Sequence, residues 1–219
     1  MNKWVICILS DKNERIGNIM YKIVKKKALN PTVTLMEVEA PLIAKKAEPG
    51  QFIILRVDEN GERIPLTVAG YDREKGTVRI IFQIVGATTK LLNELNEGDY
   101  IHDFVGPLGQ PTHTDGLKKV CVVGGGVGCA IALPVAEKLH EIGCEVHSIV
   151  GFRNKDLVIL EDEFNACSDK FVVMTDDGSY GRKGVVTTPL EELIEAGENY
   201  DMVITIGPLI MMKFVVKTT

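Results

Sequence analysis

Only 6% of this 219-residue chain is aromatic, with a single tryptophan, Trp4. Its cysteines, Cys7, Cys121, Cys129, Cys144 and Cys167, are few, odd in number and widely spaced, and no C-x-x-C pair occurs among them. A disulfide framework and an intrachain cysteine metal site are therefore excluded as expectations. There is no excess of basic charge: 25 Lys and Arg stand against 30 Asp and Glu, a net charge of -5, and nucleic acid is not an expected partner. There is no long apolar run either. The stretch Trp4, Val5, Ile6, Cys7, Ile8, Leu9 is too short to span a bilayer and has no cleavage signature after it. These absences predict a cytoplasmic protein with no membrane segment.

What is present divides the chain into two unlike halves. Residues 1–19 show no readable pattern and are set apart as a leader of unknown role, with Met20 a possible natural start. From residue 20, β-branched alternation predicts strands over 21–27, 32–38, 51–57, 64–68 and 77–84. Pro49-Gly50, Asn60-Gly61, Gly70 and Lys75-Gly76 are the expected turns, and Asn60-Gly61 is the strongest hairpin signal. A helix over 88–96 and a last strand over 100–105 complete a series that predicts an antiparallel barrel over 20–112.

From residue 113 the period changes. Apolar runs at 120–123, 145–150, 171–174 and 202–206 alternate with helical segments at 129–142, 157–166 and 188–196. This is the pattern of a parallel sheet covered on both faces, a Rossmann-like α/β unit over 113–219. Binding is expected at the carboxyl ends of its strands. There lies a glycine turn, Gly124, Gly125, Gly126, Val127 and Gly128, followed at once by a helix. Glycines let the backbone approach a diphosphate, and a helix start offers unpaired N–H groups. Cys129 stands where the third glycine of a G-x-G-x-x-G would be, and the strand ending near Arg153 carries no terminal acid for a ribose. An ordinary one-domain dehydrogenase is disfavoured for both reasons.

Two segments of the first half carry chemistry. Arg63-Ile64-Pro65-Leu66-Thr67 places a guanidinium, a proline and a hydroxyl on one side of a strand, by alternation. Such a guanidinium can clamp a diphosphate, and the hydroxyl can reach a ring nitrogen. Gly86-Ala87-Thr88-Thr89 opens a helix with two hydroxyls, a phosphate site by geometry or an ordinary N-cap.

In their order and separation these three motifs resemble the ferredoxin-NADP reductase superfamily. The resemblance covers residues 21 to the end. Within it, the chain is similar to the small FAD subunit of NADH-dependent reduced ferredoxin:NADP oxidoreductases, with the electron-transfer subunit of dihydroorotate dehydrogenase a near relative and the alternative reading. A non-catalytic nucleotide-binding module is the rival from another class. The resemblance implies an N-terminal FAD-binding barrel and a C-terminal NAD(P)-binding domain. Arg63, Pro65, Leu66, Thr67, Gly86, Thr88 and Thr89 would then hold FAD, with Thr67 beside the reactive ring nitrogen. Gly124, Gly125, Gly126, Val127, Gly128, Arg153, Asp177, Gly207 and Pro208 would border the nicotinamide nucleotide. It implies NAD(P)H as electron source, a larger iron-sulfur flavoprotein subunit as partner and a ferredoxin-type electron carrier.

The chain departs from the family in having Leu66 where many members stack an aromatic residue on the flavin, and Ile206 where a cysteine precedes the Gly-Pro. The family branch also carries a [2Fe-2S] cluster on C-terminal cysteines that this chain lacks. The expectation is therefore of a sequence truncated at its C-terminus, within a helix beginning near Leu209.

Overall fold

The computed structural model describes residues 20–219, so the expectation of a leader over 1–19 lies outside the described residues. The first half begins with strands β1 (Tyr21–Asn30) and β2 (Val33–Glu39), a single helical turn α1 (Pro41–Ala44), and strands β3 (Phe52–Arg56), β4 (Ile64–Asp72) and β5 (Thr77–Gln83). Helix α2 (Ala87–Glu94) follows, then β6 (Tyr100–Ile101) and β7 (Asp103–Leu108). All seven strands form one sheet in the order β6-β1-β2-β5-β4-β3-β7. β6 and β7 are its two edges, yet only His102 separates them in the chain, so the sheet must curl until its edges nearly meet. The predicted barrel is borne out.

Its interior is built by period-two alternation. Ile23, Met36, Val38, Ile53, Leu55, Val68, Val78, Ile80, Phe82 and Phe104 fill one apolar cluster, with Leu92 of α2 packed against it. Local differences from expectation have local causes. The single strand predicted over 100–105 is broken at His102, because its two parts pair with opposite edges, β1 and β3. Gly70 is not a turn but sits inside β4 at a register shift, with φ 153°. The β3–β4 connection is a longer loop organised by Asp58, whose carboxylate accepts from Asn60 N at 2.8 Å and whose carbonyl accepts from Gly61 N at 3.2 Å.

The second half runs β8 (Lys119–Gly125), a 3-10 turn (Gly126–Gly128), α3 (Cys129–Glu141), β9 (Glu145–Phe152), a second 3-10 turn (Lys155–Leu157), α4 (Glu161–Ala166) and β10 (Lys170–Thr175). Then come β11 (Arg182–Lys183), α5 (Thr187–Glu195), β12 (Met202–Ile206) and α6 (Leu209–Thr218). The strands form a parallel sheet in the order β11-β10-β9-β8-β12. The helix expected over 157–166 begins only at Glu161, since Leu160 adopts a left-handed φ of 59° that no helix continues through.

Alternation sorts β8 between two cores. Val120 and Val122 face α3, in a cluster shared with Val33, Leu35, Ala69 and Ile81 of the barrel's outer surface. Cys121 and Val123 face the other way, toward Leu190 of α5 and Val215 of α6. Helix α3 is therefore packed between sheet and barrel. It is the element that joins the two halves through apolar contact.

Candidate functional site

The outer surface of β4, β3 and β7 is laid out by register. Ile64 and Leu66 pack against the barrel core, which turns Pro65 and Thr67 to the outside. Thr67 pairs with Phe52 and Pro65 with Ile54 across β4 and β3. On the far side, Phe52 pairs with Leu108, Ile54 with Val105 and Arg56 with Asp103. The result is an apolar platform of Pro65, Ile54 and Val105, with Val105 54% exposed, bounded by Thr67 at one end and charged residues at the other. Leu66 is on the opposite face from Pro65, so the contact anticipated for its side chain is not formed on this surface. Strand alternation is the reason.

The charged end is a network. Asp103 Oδ2 accepts from Arg63 at 3.0 Å and lies 2.8 Å from Arg56 Nε, while Oδ1 is 3.0 Å from His102 Nδ1. Arg56 also donates to the Glu59 carbonyl at 2.9 Å. Burial pushes the Asp103 carboxyl up, but the hydrogen bond from His102 and the adjacent Arg56 guanidinium outweigh it and hold it below the usual carboxylate range. Arg63 itself remains largely in solvent, its side chain 60% exposed. Sequence reasoning selected Arg63 and missed Arg56, His102 and Asp103, which no local motif marks.

The start of α2 reaches the same end of the platform. Thr88 Oγ1 donates to Glu62 Oε2 at 3.3 Å, one residue before Arg63. Thr89 Oγ1 accepts from Gly86 N at 2.9 Å and Val85 N at 3.1 Å, folding the preceding loop onto the helix start. As first-turn residues, Ala87, Thr88 and Thr89 have N–H groups without intrahelical acceptors. The start of α2 is thus tied to Glu62, the residue next to Arg63 in the chain.

From Thr67, β4 leads toward the second half. Two residues on, Ala69 is buried in the cluster that includes Cys129 and Ala130 at the start of α3. The glycine turn precedes that helix, and its residues are explained by close approach. A Cβ at Gly128 would lie 2.5 Å from Ile206 O, and one at Gly125 would lie 2.4 Å from Met211 Sδ. A Cβ at Gly207 would lie 2.7 Å from Met211 Cε, so Gly207 and Pro208 form the other wall of the turn. Gly126 differs: its φ is 56° and a Cβ there would meet nothing within 4 Å. Val127 is half-buried and packs against the central apolar cluster.

Arg153 and Asp177 follow β9 and β10, one and two strands out from β8. Both are exposed, and Asp177 N donates to Arg153 O at 3.3 Å, which joins the loops after β9 and β10. Asp177 Oδ1 accepts from Ser179 N at 2.8 Å; hydrogen bonding by Ser179 holds its carboxyl below the usual range. Beside them is a cavity of about 320 Å³ lined by Lys155, Val158, Ile159, Leu160, Glu161 and Tyr180. Tyr180 donates to Glu161 Oε1 at 2.8 Å, and Lys155 Nζ lies 5.5 Å from its ring centre. Tyr180 lies in the loop between β10 and β11, and no local motif marks it.

The amino-terminal ends of the strands hold a separate polar cluster. Glu145, His147 and Glu198 bring ligand-type atoms within 4.8 Å of one another, but ammonium groups fill the space: Lys119 bridges Glu145 and Glu198, and Lys170 also binds Glu198. His147 is buried between Tyr200 OH at 2.7 Å and Glu145 Oε1 at 3.0 Å. This is a structural ion-pair network. Cys121, Cys129, Cys144 and Cys167 are free and buried, and burial raises the Cys121 thiol to about 12.

A nearly closed antiparallel barrel that packs through β4 against α3, the helix after the glycine turn of a parallel sheet, defines the ferredoxin reductase-like class of electron-transfer oxidoreductases. No family model matches the chain. It is 53% identical over 203 residues to an uncharacterized protein in the adh 3'region of Clostridium beijerinckii, covering 89% of this chain and 69% of that protein. It is 44% identical over 198 residues to a dihydroorotate dehydrogenase B (NAD(+)), electron transfer subunit homolog of Thermotoga maritima, covering 90% and 70%. A solved structure of an NADH-dependent reduced ferredoxin-NADP oxidoreductase, described in work on flavin-based electron bifurcation, superposes with TM-score 0.84 at 42% identity, covering 93% of this chain and 73% of that one. The chain belongs to the ferredoxin-NADP reductase-like family of electron-transfer subunits. Among the described residues, no helix is long and apolar enough to cross a membrane.

Proposed function

We propose that this protein is the flavin-bearing subunit that passes electrons between NAD(P)H and an iron-sulfur acceptor, with residues 20–112 holding FAD and 113–219 the nicotinamide nucleotide. The observation that carries it is the course of the chain through β4, from Arg63 just before the strand, next to Glu62 and its contact with Thr88 of α2, through the exposed Pro65, to Thr67 next to the strand segment that packs on α3. The residues present fit FAD. Arg63 is exposed enough to take a diphosphate with its remaining N–H groups, and the first amides of α2 add donors of the same kind. The Pro65, Ile54 and Val105 platform is apolar and open, as a planar ring system requires.

When bound, FAD supplies the exchange between hydride transfer and single-electron transfer that a nicotinamide and an iron-sulfur centre cannot make directly. The chain's own work is placement. Arg63 would hold the diphosphate, Thr67 would offer its hydroxyl to the ring system, and the open space at Gly126 would admit a second diphosphate near the start of α3. Arg153 and Asp177 would border the ribose, and Gly207 and Pro208 the nicotinamide. No proton donor is needed from a histidine.

The test is direct. Purified protein should be yellow, release FAD on denaturation and bleach on adding NADH or NADPH. Colourless protein that binds NAD(H) but cannot be reconstituted with FAD would favour a nucleotide-binding module. The relationship to the Thermotoga maritima protein supports a second reading, an electron-transfer subunit of a dihydroorotate dehydrogenase. Co-purification from the host separates the two: a larger iron-sulfur flavoprotein and reduction of ferredoxin support the first, and a dihydroorotate-oxidising partner supports the second.

A further inference from the structure

We infer that Asp103 is the positioning residue that presents Arg63 to the diphosphate of FAD. The inference rests on the flavin reading above and extends it to a residue that binds nothing itself. Asp103 begins β7, on the edge that closes the barrel, and stands opposite Arg56 in the register of β3. One of its oxygens, Oδ2, faces both Arg63 at 3.0 Å and Arg56 Nε at 2.8 Å. The other accepts from His102 Nδ1, 3.0 Å away. The carboxylate is thus held from three sides by groups on β3, on the β6–β7 junction and at the start of β4.

Arg63 has no comparable support. Its side chain is 60% exposed, and among the described residues its polar partner is Asp103, gripped through one terminal nitrogen. An arginine in water samples many rotamers, and a binding event must immobilise it. Anchoring one nitrogen on a fixed carboxylate removes part of that cost and leaves the remaining N–H groups for a phosphate oxygen. Asp103 also carries a negative charge, which repels a diphosphate. Arg56 and Arg63 neutralise that charge locally, and solvent screens what is left at so exposed a guanidinium. The ordering effect prevails.

The competing explanation is structural: Asp103 merely neutralises the half-buried Arg56 at the barrel seam. A double-mutant cycle with two ligands separates the two accounts. Flavin-stripped wild type, Asp103→Asn, Arg63→Gln and the double variant are titrated with FAD and with riboflavin, which has the ring system but no phosphate. Asp103→Asn should weaken FAD about tenfold, the scale of one charge-assisted hydrogen bond, and leave riboflavin unchanged. In the Arg63→Gln background the same substitution should have no further effect on FAD. Equal losses for FAD and riboflavin, unchanged or tighter FAD binding, or an undiminished loss in the Arg63→Gln background would each overturn the assignment. Wild type that binds neither ligand would overturn the flavin reading itself, a result distinct from any of these.

Discussion

The backbone of Gly128 lies directly against that of Ile206: a Cβ on the glycine would stand 2.5 Å from the Ile206 carbonyl oxygen. One contact therefore ties the end of β12 to the turn after β8, and it fixes how closely the Gly207-Pro208 wall approaches the site. Gly128→Ala should force the two apart at about 1–3 kcal/mol of stability and weaken dinucleotide binding as well. Gly126→Ala meets no neighbour and should cost about 1–2 kcal/mol through its left-handed φ alone. Denaturant titration of both variants, with and without NADH, checks the contrast.

Gly124 and Cys129 make a coupled pair. A Cβ at Gly124 would lie 2.8 Å from Cys129 Sγ, so Gly124→Ala should destabilise by about 1–3 kcal/mol. Removing the thiol with Cys129→Gly should recover part of that loss in the double variant. Simple additivity of the two single effects would show that the sulfur is not the obstacle.

Thr67 tests the proposed chemistry without disturbing the diphosphate end. Thr67→Val preserves shape and β propensity and removes only the hydroxyl. Flavin content should stay near wild type, while the rate of bleaching by NADH falls about tenfold, equivalent to about 1.4 kcal/mol of barrier. Stopped-flow absorbance of the flavin band measures it.

Acid stability should depend on Glu198. Hydrogen bonds from Lys119 and then Lys170 hold its carboxyl down to about 2, against 4.5 for an unperturbed glutamate. Because the folded value is the lower one, the stabilisation is present at neutral pH and is lost as pH falls from about 5 toward 2. Wild type should lose melting temperature faster than Glu198→Gln across that window. Parallel curves would remove Glu198 from the account.

Much of the architecture was legible because strand and helix periods are local. The run at 202–206 became β12, and of the expected glycine turn Gly126–Gly128 lie between β8 and α3 while Gly124 and Gly125 close the strand. The helix at 157–166 was over-read because apolar spacing says nothing of Leu160's left-handed backbone. Alternation set Arg63, Pro65 and Thr67 on one face, as the register shows, while Leu66 entered only with the family resemblance and packs on the barrel core.

The sequence by itself determined the two halves, the strands and helices within them, and the place of the glycine turn, since each follows from dihedral preference and burial period over a few neighbouring residues. Only the tertiary structure decided that His102 closes the barrel, that Asp103 meets an arginine 40 positions away, and that Gly128 faces Ile206. Those pairings depend on strand order and register, which are set by burying three apolar clusters at once and leave no mark in any short stretch of chain.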